Sequence, residues 1–389
     1  MSKLEFGPES LHRVLDGHDI EKQDAVDIAT NFKSTAPFVF KTSQKLRNFH
    51  KGNVISFSKK SFFNIINLCR DTCSYCTYKS EPDESKISMM NPKNVVELAK
   101  LAKKYHCTEA LFVTGERPEQ KYQLAKDWLK KNNFVSTAEY LIHCSELVLN
   151  EGVFPHTNAG NLTLNEMREL QKTNVSMGIM LENASERLRH KGMPHEKAPS
   201  KEPLARLEVL HNAGTLKIPM TTGLLVGIGE TFEEIIDSIF AIKQVNEKFG
   251  NIQEIILQNF HPKVNTKMKN HQTPSELYFK MVVALCRIIM PKSNIQIPPN
   301  LSPYSYQEFI TTGINDWGGI SPITSDYVNP EFNWPDINTV EENCKKLNFE
   351  LKARFPVYPE FMSLVNNDLK QKLSLIADTD NYVKEGYWK

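Results

Sequence analysis

Charge of one sign is what this chain of 389 residues most clearly lacks: 47 lysines and arginines face 46 aspartates and glutamates, a formal net charge of +1. That balance leaves no basic stripe for duplex nucleic acid and no polybasic anchor for a membrane surface. Long apolar runs are missing too. The longest, near Met281 to Met290, is interrupted by Arg287 and falls far short of the ~20 residues that a bilayer span needs. Met1 to Pro8 carry no apolar stretch of the kind a secretory leader needs, so the expected location is the cytoplasm. Cysteine is sparse and odd in number, seven in all, which argues against a disulfide framework and for a reducing compartment. A mean hydropathy of −0.42 describes an ordinary folded protein, and the length admits two or three domains or one α/β barrel.

What is present has a rhythm. Residues 1–50 read as short polar helices, an extension packed on the main domain. Beyond them, short apolar, β-branched runs alternate with segments of helical period. The expected strands are Asn64–Leu68, Ala110–Val113, Val153–Thr157, Val175–Leu181, Ile218–Val226, Ile252–Phe260 and Ile295–Pro298. Asn91-Pro92 opens a helix with Val95, Leu98, Ala102 and Tyr105 on its inner face. Thr163 with Glu166, Thr231 with Glu234 and Thr273 with Glu276 fit capping boxes, and Gly214 and Gly250 stand where helices should stop. Six or seven βα units in series predict parallel strands with right-handed crossovers, as a (βα) barrel or a doubly wound sheet. Arg187 to Pro203 reads as a long basic loop with His190 and His195 in solvent.

The strongest chemical signal is Cys69-Arg-Asp-Thr-Cys73-Ser-Tyr-Cys76, directly after the first expected strand. Thiolates so closely spaced bind soft metal. Iron–sulfur clusters usually take four cysteines; three would leave one iron open to an outside ligand. A structural zinc site, with His106 or Cys107 as fourth ligand, is the alternative. Cys107, Cys144, Cys286 and Cys344 are isolated and read as small buried hydrophobes.

This triad, with Tyr75 before its third cysteine, resembles the radical S-adenosylmethionine (SAM) superfamily. The resemblance implies an α/β fold: a TIM-like (βα) barrel, partial or full, over residues 51–300, a helical extension at 1–50, and elements at 301–389 completing or covering the barrel. It also implies one 4Fe–4S cluster on Cys69, Cys73 and Cys76, with SAM chelating the open iron. Thr114-Gly115-Glu116 is similar to the Gly-Gly-Glu element that meets the methionine amine of SAM, departing from it at the first position. By the same likeness Glu182 would hold the ribose, Arg206 the SAM carboxylate with Arg189 competing, and Leu225, Gly227 and Gly229 the adenine. A phosphate loop is the rival for that last stretch, but no Lys-Ser/Thr follows it. Plain turns or a surface charge would explain several of these elements singly. Their order at successive strand ends, where α/β barrels build sites, joins them.

The likeness narrows to the first subunit of the FO synthase (7,8-didemethyl-8-hydroxy-5-deazariboflavin synthase) family. It rests on Asn67 to Tyr78, Ala110 to Glu119, Pro155 to Asn158, Met177 to Asn183, Lys217 to Thr231, Gln258 to His261 and Asp316 to Pro322. This implies an ammonia-releasing radical cyclisation of a tyrosine–ribitylaminouracil adduct, a second subunit that supplies the adduct, and an electron donor such as ferredoxin or flavodoxin. His156, Asn158 and Asn183 become substrate-binding candidates, and His156 and His261 candidates for proton transfer. Trp317-Gly-Gly either closes the barrel or stacks on substrate. The second subunit's tyrosine coupling, a menaquinone-pathway relative and a zinc-stabilised binding module are the competing functions.

Overall fold

The structure, a computed structural model, describes residues 7–389; the first six, where the leader reading began, lie outside the described residues. Three helices lead in: α1 (Glu9–Leu15), α2 (Lys22–Thr30) and α3 (Phe32–Lys51). The last is a 20-residue helix rather than a short polar one. Its Arg47 is buried and donates to the carbonyls of Ile314 and Val54, tying the extension to the main domain.

Eight parallel strands close into a barrel: β1 (Val54–Asn64), β2 (Glu109–Val113), β3 (Phe154–Asn158), β4 (Ser176–Gly178), β5 (Met220–Val226), β6 (Ile252–Asn259), β7 (Ile295–Gln296) and β8 (Asp316–Ile320). Closure comes from β1, which pairs with β2 on one side and β8 on the other. Outside the strands run α4 (Pro92–Lys104), α5 (Gln123–Lys131), α6 (Thr137–Asn150), α7 (Leu164–Leu170), α8 (Pro203–Thr215), α9 (Phe232–Phe249) and α10 (Glu276–Ile289). The apolar run near Met281 is the buried face of α10. No described helix is long and apolar enough to cross a membrane.

Several local expectations hold. Asn91 caps α4, and the capping boxes at Thr163 and Thr231 are both formed. Gly250 ends α9 at φ 64°, where a side chain would be strained. Others need correction. Ser275, not Thr273, caps α10. Gly214 lies inside α8 rather than beyond it; the Phe249 ring packs where its Cβ would stand, 2.3 Å away. Ala99 takes the inner face of α4, while Tyr105 is 45% exposed.

The first strand begins ten residues upstream of where it was expected and ends where that expectation began, running Val54–Asn64. Ser56, Ser58, Lys60 and Phe62 share one face, and its first three positions are polar, so the amino part of the strand lacks an apolar signature. Residues 65–68 continue it only as isolated bridges, Ile66 to Met89 and Leu68 to Ser80. A ninth strand, β9 (Glu350–Arg354), was not expected at all. It pairs with Val54–Ser58, the amino half of β1, while the carboxyl half pairs with β2. Thus β9 plugs the amino end of the barrel. Strand β8 resolves the Trp-Gly-Gly question: Trp317 is fully buried against Tyr306 and closes the barrel.

Candidate active site

The lumen opens at the carboxyl ends of the strands into a cavity of about 320 Å³. At its mouth Cys69, Cys73 and Cys76 line the wall together, on the loop that leaves β1. Burial pushes the Cys69 thiol up to about 11 and the Cys73 thiol higher still, and each lies within electrostatic reach of Cys76. Coordination by a cation removes such protons outright. The Glu116 amide also donates to Cys69 Sγ at 3.2 Å.

The loop is held from above by residues 186–203. This segment is folded, not a solvent loop. Thr72 N donates to Lys197 O (2.7 Å) and Ser74 N to Pro194 O (2.9 Å), while buried Asp71 accepts from the Ser200 hydroxyl. His195 corrects its expected place in solvent: it is 3% exposed and sits 3.1 Å from the Tyr75 hydroxyl. His190 is exposed.

Thr114, Gly115 and Glu116 follow β2 into the same mouth. The Thr114 hydroxyl is engaged by Ile66 O at 3.1 Å, so its side chain serves the loop. Gly115 permits close approach, since a Cβ there would stand 1.9 Å from Leu68 O. Glu116 is 6% exposed; Oε2 accepts from Asn161 N at 3.1 Å, but Oε1 has no hydrogen-bond partner. Burial accordingly raises its pKa, against the pull of Arg206. Arg70 and Arg117 stand 4.0 Å from Oε1, too far to hydrogen-bond it, so this buried oxygen can still accept from a closer cation.

Arg206 reaches the cavity from α8, donating to Ser200 O (2.9 Å) and Met180 O (2.5 Å). Arg189 instead pairs with Glu186 and Glu202 outside it. Glu182 lines the cavity at φ 63° and pairs with Lys201 at 2.5 Å. Leu225 stands beside the cavity, in an apolar cluster with Leu188, Ile228 and Phe260, against which Tyr75 packs. Gly227 (φ 98°) and Gly229 (φ 106°) shape the turn after β5, where Glu230 accepts from the amides of Gly227 and Ile228.

Deeper down, His156 and Asn158 project from β3 into the lumen. Asn183 and His261 do not line it. Asn183 Oδ1 accepts from Ser185 N, and His261 Nε2 bonds Leu301 O behind the wall. The floor holds residues that sequence reasoning passed over: Lys60, Glu109, Glu254, Gln296 and Arg354. Arg354 comes from β9 and bonds Asp316 and Glu254, both at 2.7 Å. Strand alternation would have flagged Lys60 once β1 was placed correctly; Arg354 had no such signal. Trp334, stacked on Phe62 at 5.4 Å, lines the mouth from the loop after β8.

The donor set fits an iron–sulfur cluster better than zinc. Among the described residues no three His, Cys, Asp or Glu side chains converge as a single ion requires. Both candidate fourth ligands sit at the other end of the barrel. Cys107 precedes β2 and contacts Lys60 O, and His106 packs on Tyr387. Three thiols remain, with a carboxylate and a guanidinium beside them.

Comparison with known proteins agrees. Residues 63–242 match the radical SAM superfamily. The 7,8-didemethyl-8-hydroxy-5-deazariboflavin synthase of Methanopyrus kandleri is 43% identical over 334 residues, 85% of this chain and 100% of the relative. The synthase of Methanococcus maripaludis strain C6 is 43% identical over 88% of this chain and 96% of its own. Among solved structures, the FeFe-hydrogenase maturase HydG of Carboxydothermus hydrogenoformans superimposes with a TM-score of 0.72 at 19% identity, covering 94% of this chain and 88% of that one. Methylornithine synthase (PylB) gives 0.68 at 16%, covering 92% and 100%. These two likenesses speak for the barrel alone. The chain is therefore a radical SAM enzyme whose cofactors are a 4Fe–4S cluster and SAM, and it belongs to the 7,8-didemethyl-8-hydroxy-5-deazariboflavin synthase family.

Proposed function

We propose that this chain performs the closing step of deazaflavin assembly, as an ammonia-releasing carbon–nitrogen lyase. Its substrate is 5-amino-5-(4-hydroxybenzyl)-6-(D-ribitylimino)-5,6-dihydrouracil; its product is 7,8-didemethyl-8-hydroxy-5-deazariboflavin (FO), with ammonia, methionine and 5′-deoxyadenosine released. A second subunit supplies the adduct and an external donor such as ferredoxin or flavodoxin supplies electrons. The observation that carries the reading is the meeting of three thiols, Glu116 with an oxygen that accepts no hydrogen bond, and Arg206 on one cavity, in a chain so similar to enzymes named for that product.

Cys69, Cys73 and Cys76 would hold the cluster, and Glu116 and Arg206 the two ends of an amino acid: a carboxylate suits the ammonium and a guanidinium the carboxylate. Gly115 lets the backbone close on that group, Thr114 props the loop, and Glu182 faces the ribose. Tyr75 and Leu225 supply the apolar wall for the adenine, at the turn made by Gly227 and Gly229. When bound, the reduced cluster and SAM supply a 5′-deoxyadenosyl radical that removes hydrogen from substrate. The chain orients the adduct against that radical and excludes stray donors. His156 and Asn158, which line the lumen, are its substrate contacts; Asn183 and His261 stand behind it.

The test is anaerobic incubation with SAM, reductant and the adduct, read by the fluorescence of the deazaflavin. Product without free tyrosine sustains the reading. Consumption of tyrosine and ribitylaminouracil, with no cyclisation of the adduct, would transfer the chain to the second subunit's reaction.

A further inference from the structure

The Trp-Gly-Gly segment does more than close the barrel. Gly318 and Gly319 lie beside two side chains that enter the lumen from neighbouring strands. A Cβ at Gly319 would stand 1.0 Å from Lys60 Cε, and one at Gly318 (φ 67°) 2.1 Å from Gln296 Nε2. Both glycines are thus required for Lys60 and Gln296 to reach the cavity they line. Gln296 is 4% exposed, yet its Oε1 has no hydrogen-bond partner. A buried acceptor left open in this way costs stability unless a ligand supplies a donor.

His156, across the lumen, is the second such group. Its Nδ1 lies 2.7 Å from Ser176 Oγ, and that hydroxyl gives its one proton to Pro356 O. His156 must therefore donate from Nδ1, which leaves Nε2 as a bare acceptor. Gly178 makes the room: a Cβ there would come within 3.0 Å of Nε2. Glu109 adds a carboxylate, accepting from the Ser58 hydroxyl and lying 3.5 Å from Lys60. Burial drives the His156 pKa down to about 4, so the ring stays neutral at physiological pH.

The charges of the floor exclude an anionic ligand. Arg354 is occupied by Asp316 and Glu254, and Lys60 faces Glu109. Two cations against three carboxylates leave no surplus for a phosphate. The open positions are instead acceptors, Gln296 Oε1 and His156 Nε2, beside the long Lys60–Glu109 pair. A chain of hydroxyls, each both donor and acceptor, matches them.

Resting on the function proposed above, we infer that the barrel floor is a subsite for an unphosphorylated polyol, the ribityl arm of the substrate. The arm points down onto Lys60, Glu109, His156 and Gln296, and the reacting rings remain at the mouth beside the cysteines. The subsite also selects against the 5′-phosphate ester of the same arm.

The cluster-loaded enzyme with SAM is assayed on three adducts: with the full arm, with the arm cut to hydroxyethyl, and with the arm as its 5′-phosphate. Truncation is expected to raise KM on the order of tenfold or more, and the phosphate ester to be turned over poorly. Gln296→Leu should collapse the ratio between full and truncated arms towards one, and Gln296→Glu should restore part of it. Because each enzyme is its own control, loss of folded protein cannot mimic that change. Equal KM for the full and truncated arms in the wild type overturns the subsite, as does an unchanged ratio in Gln296→Leu. If the wild type forms no deazaflavin at all, the function is wrong and binding decides the subsite separately. Equilibrium dialysis of 5-amino-6-ribitylaminouracil against its hydroxyethyl analogue then supports the floor if the ribityl compound is retained more tightly, and overturns it if the two are equal.

Discussion

At the mouth of the barrel the lining side chains come mostly from loops, with Arg206 from α8, and key valences are left open: three thiols, a Glu116 oxygen without a hydrogen bond, a guanidinium that donates only to carbonyls. At the amino end the charged residues come mainly from strands and satisfy one another. Arg354 is held by Asp316 and Glu254; Glu254 also accepts from Tyr358 and Thr221, and Asp316 from Ser56. One end leaves charge to be matched from outside, while the other matches its charges internally and leaves only neutral acceptors, Gln296 Oε1 and His156 Nε2, open. The difference is chemical economy of position: βα loops can be rebuilt without disturbing strand pairing, whereas a floor charge must be matched before the barrel can close over it.

The largest contrast should come from one substitution at each end. Cys73→Ala, at the mouth, is expected to abolish SAM cleavage and cluster assembly, measured as 5′-deoxyadenosine formed and iron bound after anaerobic reconstitution. Retention of a full iron complement would break the assignment of the triad. Arg354→Met, at the floor, strands two buried carboxylates and is expected to cost about 3–5 kcal/mol in urea unfolding. A loss under about 1 kcal/mol would mean that the floor charges are already solvated and that the two ends do not differ as described.

The same contrast governs what the sequence discloses. Mouth residues fall in contiguous strings, Cys69 to Cys76 and Thr114 to Glu116, because a loop that wraps a ligand spends neighbouring residues on it. Floor residues arrive singly, one or two per strand, from Lys60 to Arg354, almost 300 positions apart. Their polarity also hides the strands that bear them: Ser56, Ser58 and Lys60 blunt β1, and Glu350-Leu-Lys-Ala-Arg354 scarcely reads as buried. The α/β barrel was legible because Asn91, Thr163, Thr231 and Gly250 punctuate its helices by local hydrogen bonding and backbone geometry. His195 was not, because its burial depends on Tyr75, 120 positions away.

Buried histidines and the mouth carboxylate titrate with opposite signs. His156 has its pKa lowered by burial from 6.5 to about 4, in a floor that also brings Lys60, Glu109, Glu254 and Arg354 near it. The unfolded chain therefore binds the extra proton first, and stability present above pH 6.5 is lost as the pH falls towards 4. Between pH 7 and pH 5 the loss from this one ring is roughly 2 kcal/mol. His195, held down to about 2, adds a loss of the same sign. His156→Asn removes only its own share, so its urea midpoint should fall less steeply over that interval than the wild type's. Parallel curves would show that the ring is already hydrated in the folded protein.

Glu116 works the other way. Its pKa is raised by burial, so the folded protein holds the proton more tightly than the unfolded chain does, and stability falls as the pH rises through that shifted value. The cofactor-free protein carries the cost of a buried carboxylate whose Oε1 has only arginines 4.0 Å away. Glu116→Gln removes that charge but leaves the backbone amide that donates to Cys69 Sγ. The variant should therefore bind iron normally and be slightly more stable without SAM at pH 7. It should bind SAM about 10- to 100-fold more weakly, the value of a charge-assisted hydrogen bond. Calorimetry of SAM binding beside a thermal melt separates the two effects. Affinity and stability falling together would make Glu116 a structural brace of the loop, whereas affinity falling as stability rises identifies a carboxylate held short of full hydrogen bonding for a cation that arrives with the cosubstrate.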